Sequence, residues 1–195
     1  MNSIDNLINA LRCFPGIGPK SAQRMAYYIL ERGKEQGLQL AKNLHEAISK
    51  VTNCKSCRTL TETETCSICS NTKRDQTLLC VVETPIDIIA LEQTNSYQGL
   101  YFVLMGHLSP LDGIGPNEIG INILQQRLNQ ENIQELILAT NLTMEGEATA
   151  YYIANLASNK NIKCTRIAHG IPMGGELEYL DGNTIAKALI DRRKI

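Results

Sequence analysis

The chain has 195 residues, of which 43% are hydrophobic and 20% are charged, and its formal net charge is −1. This is the composition of an ordinary globular protein with room for one sizeable core and a smaller module, and it excludes a disordered chain. No run of about 18 apolar residues occurs, and the first residues lack a basic start followed by an apolar stretch. We therefore expect a cytoplasmic protein without a membrane span.

The low net charge hides two halves of opposite sign. Residues 1–74 carry eleven Lys and Arg against six acids, a net charge of +5, whereas residues 75–195 carry a net charge of −6. A basic half is where a phosphate backbone would bind, although a solvated basic surface gives the same count. The charge alone leaves DNA binding open.

The first fifty residues predict helices around a tight turn. Apolar residues recur at helical spacing before and after the segment 14–19, which interrupts the period with two prolines and two glycines. This pattern predicts a helix, a hairpin and a second helix over 20–31. A third helix is expected over about 39–51, with one apolar face formed by Leu40, Leu44, Ala47 and Ile48.

The hairpin 15–20 has the features of a phosphate-binding turn. Gly16 and Gly18 let backbone amides approach another surface, at a point where the next helix directs its N-terminus outward. Lys20 lies at that helix start and Arg24 one turn further on the same face, so both can contact one DNA backbone without reading its sequence. A plain turn between helices is the alternative, because glycine and proline are common there. The two cations favour DNA.

Two Cys-x-x-Cys pairs follow, Cys54 with Cys57 and Cys66 with Cys69. Each pair can form a knuckle that presents two thiolates, and four thiolates within tetrahedral reach are typical of Zn²⁺. Redox-active dithiols are the alternative, but one such motif suffices for redox work and neither pair stands at a strand-to-helix junction. We predict one structural zinc ion per chain. The other cysteines are interpreted as buried apolar side chains: Cys13, Cys80 and Cys164.

From residue 79 the apolar pattern becomes strand-like. Residues 79–82 form a short continuous apolar run, which is typical of a strand covered on both faces. Further strands are expected over 101–104, 136–139 and 163–168. Helices are expected near 86–90 and over 117–128, 147–157 and 184–193. This alternation indicates βαβ units and a mainly parallel sheet.

Acidic residues stand where these strands end. Glu83 follows the first strand, and Glu145 and Glu147 lie between the third strand and its helix. Ligands of such sheets bind at the carboxyl ends of the strands, so the three carboxylates are candidates for Mg²⁺ binding. The alternative is that Glu145 and Glu147 only stabilise a helix N-terminus. The histidines nearby, His107 and His169, are interpreted as structural.

The order of four motifs makes the chain resemble the RecR family of bacterial recombination mediators. The matching stretches are PGIGPKSAQRMAYYIL, CKSC with CSIC, ATNLTMEGEATA and RIAHGIPMGGELEYLDG. The resemblance implies an α+β protein of several modules. These are a helix-hairpin-helix domain at 1–53, a four-cysteine zinc finger at 54–78, a Toprim domain at 79–174, and a C-terminal strand and helix segment at 175–195.

The resemblance also implies a function and partners. Members work with RecO, and in many bacteria with RecF, to load RecA onto single-stranded DNA, and they form homodimers or ring-like homotetramers. By position, it implies DNA contacts by Lys20 and Arg24 at the hairpin and zinc ligation by the four clustered cysteines. A zinc-stabilised interaction module without a DNA role remains an alternative, in which the hairpin is only a turn.

Toprim enzymes such as topoisomerases and primases have a glutamate where Glu83 stands, followed by a loop of the form D-x-D-x-E. In this chain the loop contains Asn141, Thr143 and Glu145. Two metal-binding carboxylates are thus replaced by neutral groups, so we expect no strand cleavage and no enzyme activity. The alternative function is a magnesium-dependent Toprim nuclease or primase-like enzyme. Without a metal, Glu83, Glu145 and Glu147 are candidate contacts to a basic partner, which in the family would be RecO.

Overall fold

The computed structural model of the chain describes residues 2–168, 170–172 and 174–190. The chain divides into two compact units, Met1–Val51 and Thr52–Ile195. His169 and the expected helical residues 191–193 lie outside the described residues. Within the described part, every helix is too short or too polar to span a bilayer.

The first unit consists of three helices, α1 (Ser3–Leu11), α2 (Pro19–Glu31) and α3 (Lys34–Lys50). A capping box fixes the start of α1, because the Asn2 side chain accepts a hydrogen bond from the backbone N–H of Asp5 and the Asp5 carboxylate accepts one from the backbone N–H of Asn2. Two fully buried alanines, Ala22 and Ala26, form the inner face of α2. The predicted helix, hairpin and helix are therefore present.

The third predicted helix is also present, but it begins at Lys34 rather than near Gln39. Its first turn is polar and carries no apolar period, which is why the sequence pattern does not reveal it. The predicted apolar face is exposed in this unit, since Leu40, Leu44 and Ile48 are 56%, 49% and 74% exposed.

The second unit begins with a small module and continues into a four-stranded parallel sheet. In the module, β1 (Thr52–Asn53) pairs antiparallel with β2 (Leu60–Thr61). The sheet contains β3 (Asp75–Val82), β4 (Gly99–Val103), β5 (Glu135–Ala139) and β6 (Lys163–Arg166). Its strand order is β4-β3-β5-β6, and every neighbouring pair is parallel. The predicted parallel sheet is confirmed.

Helices cover both faces of this sheet. They are α4 (Pro85–Gln93) on one face and α5 (Ile121–Gln130) and α6 (Met144–Ser158) on the other, and a last helix, α7 (Gly182–Ile190), follows in the chain without a buried residue. The run 79–82 is central to the core: Leu79 and Val81 pack with side chains of α5 and α6, whereas Cys80 and Val82 pack with α4. Because successive side chains of a strand point to opposite faces, a strand covered on both sides needs this continuous apolar run.

Two helix starts differ from the predicted ones for local reasons. Helix α5 begins at Ile121 rather than at Asn117, because Gly120 has a left-handed φ of +74° and interrupts any helix before it. Helix α6 begins at Met144, before the expected Glu147, because the Thr143 hydroxyl accepts a hydrogen bond from the Gly146 N–H and caps the helix there.

Candidate metal centre and nucleic-acid interface

The four clustered cysteines converge on one point in the small module. Their Sγ atoms all lie within 4.8 Å of one another, and Cys57 Sγ is 3.6 Å from Cys66 Sγ. A tetrahedral Zn²⁺ with bonds of about 2.3 Å holds its sulfur ligands about 3.8 Å apart, so the cluster fits this ion. Within the described part of the chain, no other set of His, Cys, Asp and Glu side chains is gathered in this way.

Two turns of the same kind present the thiols. The Arg58 N–H donates to the Cys54 carbonyl at 2.9 Å, and the Ser70 N–H donates to the Cys66 carbonyl at 3.0 Å. Each Cys-x-x-Cys segment is thus closed by the residue after its second cysteine. The Cys66 N–H also donates to Cys54 Sγ at 3.3 Å, which links the two knuckles.

The thiols of Cys57 and Cys69 differ widely in pKa. A hydrogen bond with Cys57 lowers the pKa of Cys69 to about 5, with a smaller lowering from the positive charge of Arg127. The same hydrogen bond, together with burial, raises the pKa of Cys57 well above its usual range. The cluster therefore carries thiolate character at neutral pH, and a bound cation displaces the remaining protons.

The remaining cysteines do not share this environment. Cys80 is buried on β3, and burial raises the pKa of its thiol to about 12, as expected for an apolar side chain. Cys164 is half-buried. Cys13 was predicted to be buried and is exposed, because it follows the end of α1 at the entrance to the hairpin.

The small module covers the outer edge of β4, where the sheet ends. Two hydrogen bonds join the module to this edge, from the Val103 N–H to the Cys57 carbonyl (2.9 Å) and from Arg74 Nη1 to the Gly99 carbonyl (3.0 Å), and Arg127 of α5 adds a third from its Nη1 to the Tyr101 carbonyl (2.7 Å). Alternate residues of an edge strand direct their backbone groups away from the sheet, and these three are such residues. An uncovered edge tends to pair with another chain, so the module protects the sheet.

Arg58, which the sequence analysis did not single out, joins the module to the sheet. Its Nη1 donates to the carbonyls of Leu104 at 3.1 Å and Ile119 at 2.7 Å, and its guanidinium lies 5.6 Å from the centre of the Phe102 ring. A side chain at Gly120 would collide with this guanidinium. The signal in the sequence is weak, because an arginine beside a zinc knuckle ordinarily indicates only a solvated surface.

Arg127 of α5 was also missed and is only 5% exposed. Its Nε donates to the Glu131 carboxylate at 2.8 Å, and its Nη1 reaches the Ser56 carbonyl of the first knuckle at 3.3 Å. The sequence does indicate that this arginine is buried, because Arg127 stands between Leu124 and Leu128 on the apolar face of its helix. A charge in such a face needs buried partners.

The predicted hairpin lies between α1 and α2. Gly16 has a φ of +79°, a conformation that glycine adopts without strain, while Gly18 has an ordinary φ of −81° and precedes the first residue of α2. A Cβ at either glycine would meet nothing within 4 Å. No side chain caps the start of α2. The surface at the hairpin is therefore open to a ligand.

Lys20 and Arg24 are both exposed on α2 next to this hairpin. None of the ion pairs found in the described ranges includes either side chain. An unpaired lysine and arginine beside a helix N-terminus form a local positive field that suits a phosphate.

Glu83, predicted as one of three acids open to a partner, is 3% exposed. Its Oε1 accepts from the backbone N–H of Asn141, and its Oε2 accepts from the Asn141 side-chain amide, both at 2.8 Å. His107 Nδ1 lies 3.3 Å from the same Oε2. A Cβ at Gly146 would collide with the Asn141 carbonyl and crowd Glu83. Buried in this way, Glu83 cannot contact a partner directly.

The other two acids are exposed at the start of α6. Glu147 accepts a hydrogen bond from Arg166 at 3.0 Å, and Arg166 also donates to the Thr140 hydroxyl at 2.9 Å and to the Asn141 carbonyl at 3.3 Å. The guanidinium therefore supplies positive charge beside Glu147, one of the three carboxylates that the sequence offers as candidates for Mg²⁺ binding. Glu145 remains on the exposed first turn of α6.

These features define a protein with a helix-hairpin-helix unit, a four-cysteine zinc finger and a Toprim domain. Family models match in the same order: the RecR helix-hairpin-helix at residues 4–48, the RecR zinc finger domain with four cysteines at 51–71, the Toprim domain at 77–168 and the RecR C-terminal region at 170–193. The chain is 62% identical over 187 residues to Recombination protein RecR of Coxiella burnetii (strain RSA 493 / Nine Mile phase I), covering 95% of this chain and 93% of that relative. The chain belongs to the RecR family of recombination proteins, and the resemblance drawn from its motifs is confirmed.

Proposed function

We propose that the chain is a noncatalytic, DNA-binding recombination mediator in DNA repair. It acts in the cytoplasm with RecO, and with RecF where that protein is present, to help load RecA onto single-stranded DNA. The observation that carries the proposal is the hairpin, where the exposed and unpaired Lys20 and Arg24 adjoin a helix start without a side-chain cap. Such groups bind phosphate irrespective of base sequence.

The zinc centre serves this function through structure. One Zn²⁺ per chain is held by the four clustered cysteines and cross-links the two knuckles. Four sulfur ligands leave no open position for a catalytic water. The ion binds Cys57, whose carbonyl accepts a hydrogen bond at the edge of β4. The role of the zinc ion is therefore to hold the module against the sheet.

We call the carboxyl ends of β3 and β5, with Glu83, Glu145 and Glu147, the acidic edge of the sheet. Its contacts favour binding of a partner over cleavage of DNA. Both oxygens of Glu83 already accept hydrogen bonds from Asn141, and Thr143 serves as a helix cap. A magnesium ion would have to displace these bonds without gaining a carboxylate at either position. The alternative, a magnesium-dependent nuclease or primase-like enzyme, is tested below by examining the DNA for nicks.

Glu145 and Glu147 are proposed contacts to a basic partner, which in the family would be RecO, and Glu83 acts indirectly by holding the Asn141 loop. The charge reversal Glu145→Lys is expected to weaken RecO binding in calorimetry. Glu62→Lys, at an exposed acid of the zinc module, is the matched control. Unchanged RecO affinity for Glu145→Lys would count against this assignment.

A homodimer or homotetramer is also proposed. The exposed residues Leu40, Leu44 and Ile48 lie on one face of α3, and a contiguous apolar face of this kind can mark a protein interface. Sedimentation velocity of the wild type and of Leu44→Glu decides this point, since the charged variant should dissociate to a smaller species.

The function is tested by binding to gapped DNA over a salt series with Mg²⁺ present. The wild type is compared with Lys20→Ala/Arg24→Ala, and Lys34→Ala/Lys42→Ala is the control with the same charge change in the same unit. Loss of two phosphate contacts should weaken binding and reduce the slope of log K against log salt by about 1.4 to 1.8. Nicked DNA would favour the enzyme, and equal binding by all three proteins would contradict the hairpin as the contact.

A further inference from the structure

A groove of about 580 Å³ lies along the outer face of α2. Arg24 and Tyr28 of α2 and Arg32, the residue at its C-terminal cap, line it at four-residue spacing, which corresponds to steps of about 6 Å along a helix. Tyr27 and the single acid Glu31 complete its wall. The spacing therefore places an aromatic ring between two cations.

The ring of Tyr28 is held on one side and open on the other. A Cβ at the buried Gly33 would lie 3.3 Å from Tyr28 Cε1, so the tyrosine packs closely against that glycine. The residue is nevertheless 61% exposed, and its neighbour Tyr27 is 43% exposed. An aromatic surface that is already positioned loses little conformational freedom when a ligand stacks on it.

The cations beside the ring are also available. Across the described residues, neither Arg24 nor Arg32 takes part in an ion pair. Both belong to the half of the chain with a net charge of +5. This combination favours a polyanion with exposed aromatic faces over an apolar protein partner.

We propose that this groove binds the unpaired bases of single-stranded DNA, with Tyr28 as the stacking side chain and Arg24 and Arg32 as flanking phosphate contacts. The proposal rests on the proposed DNA-binding function and deepens it by naming the strand type. Duplex DNA hides the faces of its bases within the helix, whereas a single strand exposes them. Stacking of one base on an aromatic side chain changes affinity by about 5- to 150-fold.

The test measures fluorescence anisotropy of the full chain on three labelled ligands: oligodeoxythymidylate, an abasic oligonucleotide of the same length, and a duplex. Tyr28→Leu removes the aromatic face, and Tyr28→Phe keeps it. Tyr151→Leu, at a tyrosine of α6 that is 72% exposed, is the matched control. We expect Tyr28→Leu to bind oligodeoxythymidylate at least 5-fold more weakly, while Tyr28→Phe and Tyr151→Leu match the wild type.

The other two ligands separate stacking from charge. Tyr28→Leu should leave affinity for the abasic strand and for the duplex unchanged, because it removes no cation. An equal loss on the abasic strand would overturn the proposal, and so would a change in sedimentation with unchanged binding to oligodeoxythymidylate, which would indicate a protein interface instead.

Glu31→Gln provides a second test that leaves both tyrosines of the groove in place. Removing the acid from the groove should tighten binding to oligodeoxythymidylate by about 2-fold or more at low salt, and unchanged or weaker binding would contradict the proposal. The two proposals fail differently. If the wild type binds no DNA, the proposed function fails; if it binds DNA and Tyr28→Leu binds oligodeoxythymidylate equally well, only the groove is excluded.

Discussion

The zinc centre and the acidic edge of the sheet both bring metal-binding residue types together, and they differ in what the donor atoms already contact. The cysteine Sγ atoms face one another within 4.8 Å. At the acidic edge, Glu83 accepts hydrogen bonds from Asn141, and Glu147 accepts one from Arg166. A cation binds where donors have no stronger competing partner. The thiols of the cluster have mainly one another as partners, whereas the carboxylates are already bound to the amide of Asn141 and the cation of Arg166, which a metal ion would have to displace.

The largest expected effect is at the zinc centre. Cys57→Ser should abolish stoichiometric zinc and unfold the small module, because structural zinc contributes on the order of 10 kcal/mol of apparent folding free energy in zinc-finger peptides. Elemental analysis gives the zinc content, and hydrogen exchange at Val103 reports loss of the Cys57 contact. The control is Cys13→Ser, at an exposed thiol. One equivalent of zinc retained in Cys57→Ser would contradict the assignment of Cys57 as a zinc ligand.

The next effect concerns the contact between the module and the sheet. Arg127→Met keeps the length of the side chain but removes the donors to Tyr101 and Ser56 and the partner of Glu131. We expect a loss of about 2 to 3 kcal/mol in urea unfolding, at the low end for a broken buried ion pair because Glu131 can turn to water. Zinc release to a chelator should also be faster. Lys73→Met, at an exposed cation, should change neither quantity.

At the acidic edge, Asn141→Asp should destabilise the fold by about 2 kcal/mol at neutral pH, because it replaces an amide donor to the buried Glu83 with a second carboxylate. Urea unfolding at neutral pH measures this loss, and unchanged stability would contradict the role of the Asn141 amide as a partner of Glu83. Asn71→Asp, at an exposed position, is the control.

Added Mg²⁺ tests whether a restored carboxylate is enough to make the acidic edge a metal site. If millimolar Mg²⁺ restores the stability of Asn141→Asp, the acidic edge binds metal once a carboxylate is returned to it. If Mg²⁺ has no effect, Arg166 beside Glu147 is sufficient to keep the cation away. The first outcome would remove the distinction between the two sites, and the second would strengthen it.

Local patterns account for the parts of the structure that the sequence predicts correctly. The run 79–82 predicts a doubly covered strand because its apolar side chains are consecutive, and the cysteine spacing predicts the cluster because each knuckle closes within a few residues. The burial of Glu83 was not predictable in this way. Its partner Asn141 lies 58 residues further along the chain, and only the parallel pairing of β3 with β5 brings the two together. Arg58 depends in the same way on distant carbonyls of the sheet.

The smallest expected effect is at Glu92 of α4, which supports the Arg74 side chain at the edge of β4. Glu92 pairs with Arg74 and accepts a hydrogen bond from the Tyr101 hydroxyl at 2.6 Å. Burial opposes ionisation of Glu92, but the hydrogen bonds from Arg74 and Tyr101 outweigh it and lower the pKa of this carboxyl. Its contribution is therefore present above the pKa of about 4.3 in the unfolded chain and is lost as the pH falls through the lower folded value.

Glu92→Gln should accordingly cost about 1 kcal/mol at pH 7 and show a weaker loss of stability on acidification than the wild type does. Urea unfolding at several pH values between neutral and acidic measures both quantities. Glu118→Gln, at an exposed carboxylate that accepts a hydrogen bond from the Gly115 N–H, is the matched control. Parallel pH profiles for Glu92→Gln and the wild type would mean that Arg74 holds the edge of β4 through the carbonyls of Tyr97 and Gly99, without help from the half-buried acid.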